Sequence, residues 1–155
     1  MNDETTLFCT FEAAGRLFGI PLIDIKEVTV EANCTPIPHA PECVQGYVNI
    51  RGQIVLGLDL RKLLRLPSND QTAKCLVIMK SSIGPSFGLL VDEVGEIEAV
   101  RQQDIPVDAA TSNAELPGPD NLIQCTCKLP NRLLVVLDAR KLLTIIENEI
   151  HQASL

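Results

Sequence analysis

Apolar residues recur along this chain in short runs with a period near two, and turn-forming residues break the runs at close intervals. Leu7-Phe8-Cys9-Thr10-Phe11 alternates, meets Ala13-Ala14-Gly15-Arg16, and is followed at once by Leu17-Phe18-Gly19-Ile20. Two such runs across so short a break predict a hairpin. Ile25-Lys26-Glu27-Val28-Thr29-Val30 predicts another strand, with Ile25 and Glu27 on one face and Lys26 and Val28 on the other. Pro36, Pro38 and Pro41 then impose an extended connector in which no helix can form. Tyr47-Val48-Asn49-Ile50 and Gln53-Ile54-Val55-Leu56-Gly57-Leu58 flank Arg51-Gly52, a two-residue turn with Gly second. Further strands are predicted at Cys75–Met79, Phe87–Val91, Gly95–Ala99, Leu122–Lys128 and Leu133–Leu137. About ten short, closely spaced strands favour a barrel or sandwich over an alternating βαβ sheet. Pro117-Gly118-Pro119 predicts a long exposed loop.

Helical pattern is clear in two places, and the two places are nearly the same. Leu58-Asp59-Leu60-Arg61-Lys62-Leu63-Leu64 matches Leu137-Asp138-Ala139-Arg140-Lys141-Leu142-Leu143 at six of seven positions. In each, Asp is placed to cap a helix, because its carboxylate accepts from the orphan backbone N–H groups of the first turn. The second helix continues with Leu143, Ile146 and Ile150 as one apolar stripe. A weaker echo lies upstream: Phe18-Gly19-Ile20 resembles Phe87-Gly88-Leu89, and Glu27-Val28 resembles Glu96-Ile97 at the same spacing. A strand-rich unit therefore occurs twice. Each half is too short to bury a good core alone, so the halves must pack together. The groove between two packed barrels is a natural seat for a partner helix or a ligand.

Composition narrows the function. With 155 residues the chain can bury a real core as one domain, residues 1–155, with 1–6 and 148–155 expected to fray. Four Phe, one Tyr and no Trp make that core aliphatic and leave few platforms for base stacking. A net charge of −7 argues against nucleic acid or an anionic membrane surface as partner. There is no apolar run near 18 residues for direct membrane insertion, and Met1-Asn2-Asp3-Glu4 does not open a signal peptide, so a cytoplasmic location is expected. Cys9, Cys75, Cys125 and Cys127 sit inside apolar runs, where a reduced thiol acts as a small hydrophobe. Cys125-x-Cys127 is too tightly spaced for a zinc site, and Cys34 and Cys43 have no histidine pair to support them. His39 and His151 are the only histidines, and no phosphate-binding glycine loop is present. No catalytic residue, cofactor site or metal site is expected. A cysteine-based metal or redox protein remains only as a remote alternative.

The ordered motifs resemble the CheW-like family of bacterial chemotaxis adaptors. Phe18-Gly19-Ile20 to Ile25-Lys26-Glu27-Val28 is similar to that family's second and third strands. Pro36-Ile37-Pro38-His39-Ala40-Pro41 is similar to its proline connector. Val44 to Val55, with Gly46, Asn49-Ile50-Arg51-Gly52 and an aliphatic strand, resembles its most diagnostic stretch. Leu58-Asp59-Leu60-Arg61 and Gly88-Leu89-Leu90-Val91-Asp92-Glu93-Val94 follow in the family's order. The resemblance runs from about Leu7 to about Ile146. Departures are Ile50 for Leu, Gly57 where an aliphatic or small residue is common, and the six cysteines.

The resemblance implies an all-β fold of two interleaved five-stranded SH3-like barrels with short helices, one of them C-terminal. It implies a scaffold without catalysis, coupling the cytoplasmic tips of methyl-accepting chemotaxis receptors to the regulatory domain of the histidine kinase CheA. That places it at receptor arrays on the inner membrane. An adaptor of a related two-component pathway, controlling surface or pilus-based motility, is the alternative. Ile25, Glu27, Asn49 and Arg51 match receptor-binding positions; Val44, Gly46, Tyr47 and Val48 match kinase-binding ones. Asn49 and Gly52 also suit plain turn chemistry, and Asp92 suits a structural role. Arg51 can pair with a carboxylate, either Glu27 or one on a receptor helix.

Overall fold

Each sheet of this protein is assembled from both halves of the chain. The computed structural model describes residues 4–30, 32–67, 75–80, 86–105, 122–144 and 147. Among them are ten strands: β1 (Thr5–Ala13), β2 (Arg16–Pro21), β3 (Ile25–Thr29), β4 (Val44–Ile50), β5 (Gln53–Asp59), β6 (Cys75–Met79), β7 (Phe87–Val91), β8 (Glu93–Arg101), β9 (Ile123–Lys128) and β10 (Leu133–Leu137). Helix α1 (Leu60–Leu63) follows β5, and residues 139–144 form helix α2 after β10. One sheet has the order β8-β1-β2-β10-β9, the other β3-β6-β7-β5-β4. Shifting every strand by five places along the chain turns the first order into the second.

The pairings repeat with the order. β1–β2 and β6–β7 are antiparallel, whereas β2–β10 and β7–β5 are parallel. Phe18 lies opposite Val135 in one parallel pair, and Phe87 opposite Leu56 in the other. The sequence echoes therefore fall in equivalent registers. Each sheet takes two strands from one repeat and three from the other, so the fold is all-β, with two interleaved five-stranded SH3-like barrels.

Interleaving explains why alternation fades in the middle of the chain. Along β6, Val77 and Met79 enter a core shared by both sheets, while Leu76 and Ile78 fill the barrel's own interior. Along β10, Val135 and Leu137 face the shared core, and Leu134 and Val136 fill the other barrel. Strands buried on both faces read as unbroken apolar runs. Phe11 and Phe18 stack in the shared core with ring centroids 6.4 Å apart. Packing is close enough that a Cβ on Gly88 would lie 2.8 Å from the Val77 carbonyl oxygen.

Both helices start as their sequences dictate. The Asp59 carboxylate accepts from Arg61 N at 2.9 Å, and the Asp138 carboxylate accepts from Arg140 N at 3.0 Å. The two caps are worth about 1 kcal/mol each. Arg61, only 7% exposed, turns its guanidinium back to the Asp92 carboxylate. Ala14 N also donates to Asp92 Oδ2, at 3.0 Å. Asp92 thus ties α1, which follows the second barrel's β5, to the β1–β2 turn of the first barrel.

Three expectations are corrected. Ile25 and Glu27 do not share a face. A bulge between them sets Ile25 opposite Met79 and Glu27 opposite Ile78, so Ile25 and Val28 both reach the shared core. The strand expected at Gly95–Ala99 spans Glu93–Arg101, because β1 pairs with it from Glu12 back to Thr5. Accordingly Thr5 and Thr6, placed in the frayed end, are paired with Arg101 and Val100. Pro117-Gly118-Pro119, Ile146, Ile150 and residues 148–155 lie outside the described residues.

All six cysteines are free thiols. Cys125 and Cys127 share the interior of the first barrel, and Cys9 lies in the shared core. Burial pushes the Cys125 thiol up to about 12, with a smaller contribution from Cys127 beside it. Burial also raises Cys9, Cys34 and Cys127. Such thiols keep their protons at neutral pH and are poor nucleophiles.

Two outcomes follow for the isolated protein. Asp92→Ala removes the carboxylate that Arg61 faces. The expected loss is roughly 2–3 kcal/mol by urea unfolding, below the roughly 3–5 kcal/mol of a fully buried pair because Asp92 is partly exposed. Arg61→Met in the same chain should restore part of it. For the thiols, iodoacetamide at about pH 8.5, where a free cysteine is half ionised, should leave Cys125 and Cys127 unmodified until denaturant is added. The folded chain holds these protons beyond the pH at which the unfolded chain releases them. Stability should therefore be full below about pH 8.5 and decline as pH rises from there toward 12.

Candidate functional site

Glu27 and Arg51 meet across the mouth of the second barrel. β3 and β4 are the two ends of that sheet's hydrogen-bonded order, and the Arg51 guanidinium reaches the Glu27 carboxylate between them. Lys26 Nζ donates to Gln53 Oε1 beside the pair, at 3.1 Å. The bulge at Lys26 makes this possible, because it turns Glu27 toward the barrel mouth while Ile25 goes into the shared core. Arg51 stands in the β4–β5 turn at φ +48°, followed by Gly52 at +86°, the left-handed pair that a two-residue hairpin needs. Asn49 Oδ1 accepts from Gly52 N at 2.9 Å and holds the turn. The Arg51 side chain is 74% exposed. A pair so exposed stabilises the fold by at most about 1 kcal/mol, so its main effect is to fix where the guanidinium stands.

Of the four residues matched to receptor binding, Glu27, Asn49 and Arg51 come together at this mouth, and Ile25 is buried beneath it. Residues that sequence reasoning did not single out supply apolar surface. Leu22, Val28 and Val94 are half-buried at the margin of the shared core. Leu7 and Ile97 are exposed on one face of the β1–β8 pair, opposite Ala99 and Cys9. The clue was in the repeat: Val28 and Ile97 occupy the same place in the two halves.

A bulge divides the four residues matched to kinase binding: Val44 enters the shared core, whereas Gly46 and Val48 face the second barrel's interior. These three are buried, and Tyr47 is half-buried on the face of β4 opposite Gly46 and Val48. The connector closes over this strand. Thr35 N donates to Tyr47 O at 2.8 Å, and Tyr47 N donates to Thr35 O at 2.9 Å.

The first barrel's corresponding end is built differently. Glu96 occupies Glu27's place in the repeat, but Arg132 bonds Glu12 at 3.3 Å instead. The result is an open cleft of about 450 Å³ between Glu12, Glu96, Glu98 and Arg132. Among the described residues no three His, Cys, Asp or Glu side chains gather as a metal site, and no helix is long and apolar enough to cross a membrane.

Comparison with known proteins gives a consistent picture. A chemotaxis protein CheW of Treponema pallidum is 30% identical over 110 residues, covering 68% of this chain and 64% of that one. The chain thus spans just under two thirds of that relative. A chemotaxis protein CheW of Bacillus subtilis is 27% identical over 133 residues, 86% of this chain and 83% of that one. The crystal structure of the scaffolding protein TtCheW from Thermoanaerobacter tengcongensis superposes with a TM-score of 0.76 at 22% identity, covering 87% of this chain and 90% of that chain, and so shares the fold. The family model of the CheW-like domain matches residues 7–147, and the chain belongs to that family.

Proposed function

We propose that this protein is a chemotaxis coupling adaptor. It holds the cytoplasmic tip of a methyl-accepting chemotaxis receptor on one surface and the regulatory domain of the histidine kinase CheA on another. It works in the cytoplasm, at receptor arrays, and performs no chemistry of its own. The observation that carries this reading is the CheW-like match over residues 7–147. The geometry supports it in two ways. The Glu27–Arg51 pair offers a fixed charged contact at a barrel mouth. Leu22, Val28, Val94, Leu7 and Ile97 offer apolar surface at the core margin and on the β1–β8 face. An amphipathic receptor helix needs both, an apolar strip to bury and a charge to set its register.

Each interface is expected to be moderate on its own. Joining both partners through one rigid body raises the effective concentration of the second for the first. The test is reconstitution: kinase autophosphorylation measured with receptor signalling fragment, with and without this protein. Wild type should raise receptor-dependent activity. Arg51→Glu sets two carboxylates against each other at the mouth and should lower receptor binding roughly tenfold, about 1.4 kcal/mol. Its urea midpoint should stay near wild type, since the pair it breaks is exposed. Unchanged binding of both partners by Arg51→Glu and Glu27→Lys would remove the site from the mouth.

A further inference from the structure

The two barrel mouths follow one plan, and the repeat identifies their equivalent residues. Phe18 lies opposite Val135 as Phe87 lies opposite Leu56, and a bulge interrupts β8 against β1 as one interrupts β3 against β6. Counted from these pairings, Glu96 stands where Glu27 stands, Gly95 where Lys26 stands, and Pro130 where Arg51 stands. Glu12 takes the place of Lys80, Glu98 that of Thr29, and Arg132 that of Gln53. The carboxylate is kept, and both cations beside it are gone.

In the second barrel those cations span the mouth: the Arg51 guanidinium lies on Glu27, and Lys26 bonds Gln53. In the first barrel the same place is the open cleft of about 450 Å³. Leu17 and Leu129 line it at the end of the barrel's apolar interior, and Glu12, Glu96 and Glu98 stand around them. Arg132 is held by Glu12, and among the described residues no ion pair reaches the Glu96 or Glu98 carboxylate. The chain cannot easily restore Lys26's counterpart, because a Cβ on Gly95 would lie 2.7 Å from Thr10 Oγ1. The buried Thr10 hydroxyl donates to the Glu96 carbonyl and fixes the backbone from which Glu96 projects.

We propose that the mouth of the first barrel is a docking site for an arginine side chain presented by a partner protein. Glu96 and Glu98 are two apart on β8 and share a face, so one guanidinium can lie between their carboxylates as Arg51 lies on Glu27. The aliphatic stem lies along Leu17 and Leu129. Arginine suits this place better than lysine, because its planar fork offers paired donors and is more weakly hydrated than an ammonium. The cleft is open and does not enclose a free small molecule as ligand cavities do. A cation carried on another protein's surface meets it as one charged patch meets its opposite. The site lies on the other barrel from the Glu27–Arg51 pair, so the inference stands apart from the adaptor reading.

The test is an amide NMR titration of the full chain at low salt with N-acetyl-arginine amide, its neutral isostere N-acetyl-citrulline amide, and N-acetyl-lysine amide. The arginine derivative should shift the amides of Thr10, Glu96 and Asn131 and saturate at about 1–10 mM, the weak range of a single side chain. The citrulline derivative should shift none of them. Glu96→Gln should weaken binding roughly fivefold with an unchanged urea midpoint, as the carboxylate it removes is exposed. Arg132→Gln frees Glu12 and should tighten binding about twofold. Pro130→Arg returns the second barrel's cation to the first and should compete for the cleft, weakening binding roughly fivefold. Equal shifts by citrulline, tighter binding by lysine, or wild-type affinity in both Glu96→Gln and Pro130→Arg overturns the proposal. A dimer in sedimentation that Glu96→Gln dissolves makes a second copy of this chain the occupant and also overturns it.

Discussion

The two barrels cannot be taken apart, because they share one core and each is built with strands lent by the other half of the chain. Phe11, Phe18 and Ile20 from one sheet pack with Leu58, Phe87 and Leu89 from the other in a single cluster. Separating the barrels would expose one face of β2, β6, β7 and β10 together. Each Å² of apolar surface so exposed costs about 25 cal/mol, and nearly all the side chains on these faces are apolar. The molecule is therefore one rigid body with two unlike ends. The polar features described above are arranged around this core: the Asp92 clip fastens α1 to it, and the exposed Glu27–Arg51 pair adds little to what holds it.

Local chemistry made much of the fold legible. Strands β6, β7 and β10 have the bounds their apolar runs suggest, and the two Asp caps act as read. The repeat was legible because two caps, two aromatic-glycine pairs and two acidic strands recur in order. What could not be read was anything set by two distant segments at once. The bulge at Lys26 arises from pairing β3 with β6, some fifty residues away, and alternation alone puts Ile25 and Glu27 on the same side. Likewise Gly95 looks like a strand start. In the structure it lets β8 pass Thr10, whose hydroxyl donates to the Glu96 carbonyl, so the strand continues on both sides.

The candidate site shows the same division. Arg51 and Asn49 were legible because a two-residue turn fixes their geometry locally. Glu27 as Arg51's partner was legible as one of two options. The apolar margin at Leu22, Val28 and Val94 was not, since it exists only where two barrels meet. Gly46 was legible as a close approach, but the sequence leaves open what approaches. The structure supplies the answer as Thr35 of the same chain, through contacts between residues 11 positions apart.

The two halves keep a common frame and diverge at their ends. Had both halves kept the same ends, the protein would present one surface twice. The ends differ through small changes on a common frame. Arg51 in a two-residue turn reaches Glu27 in its own barrel, whereas Arg132, at the end of the longer connection from β9, reaches Glu12 and leaves Glu96 facing a cleft. Neither change touches the core, so neither threatens the fold. The two ends are free to differ where burial imposes no constraint, at turns and barrel mouths. The shared core keeps those places at fixed distances from one another.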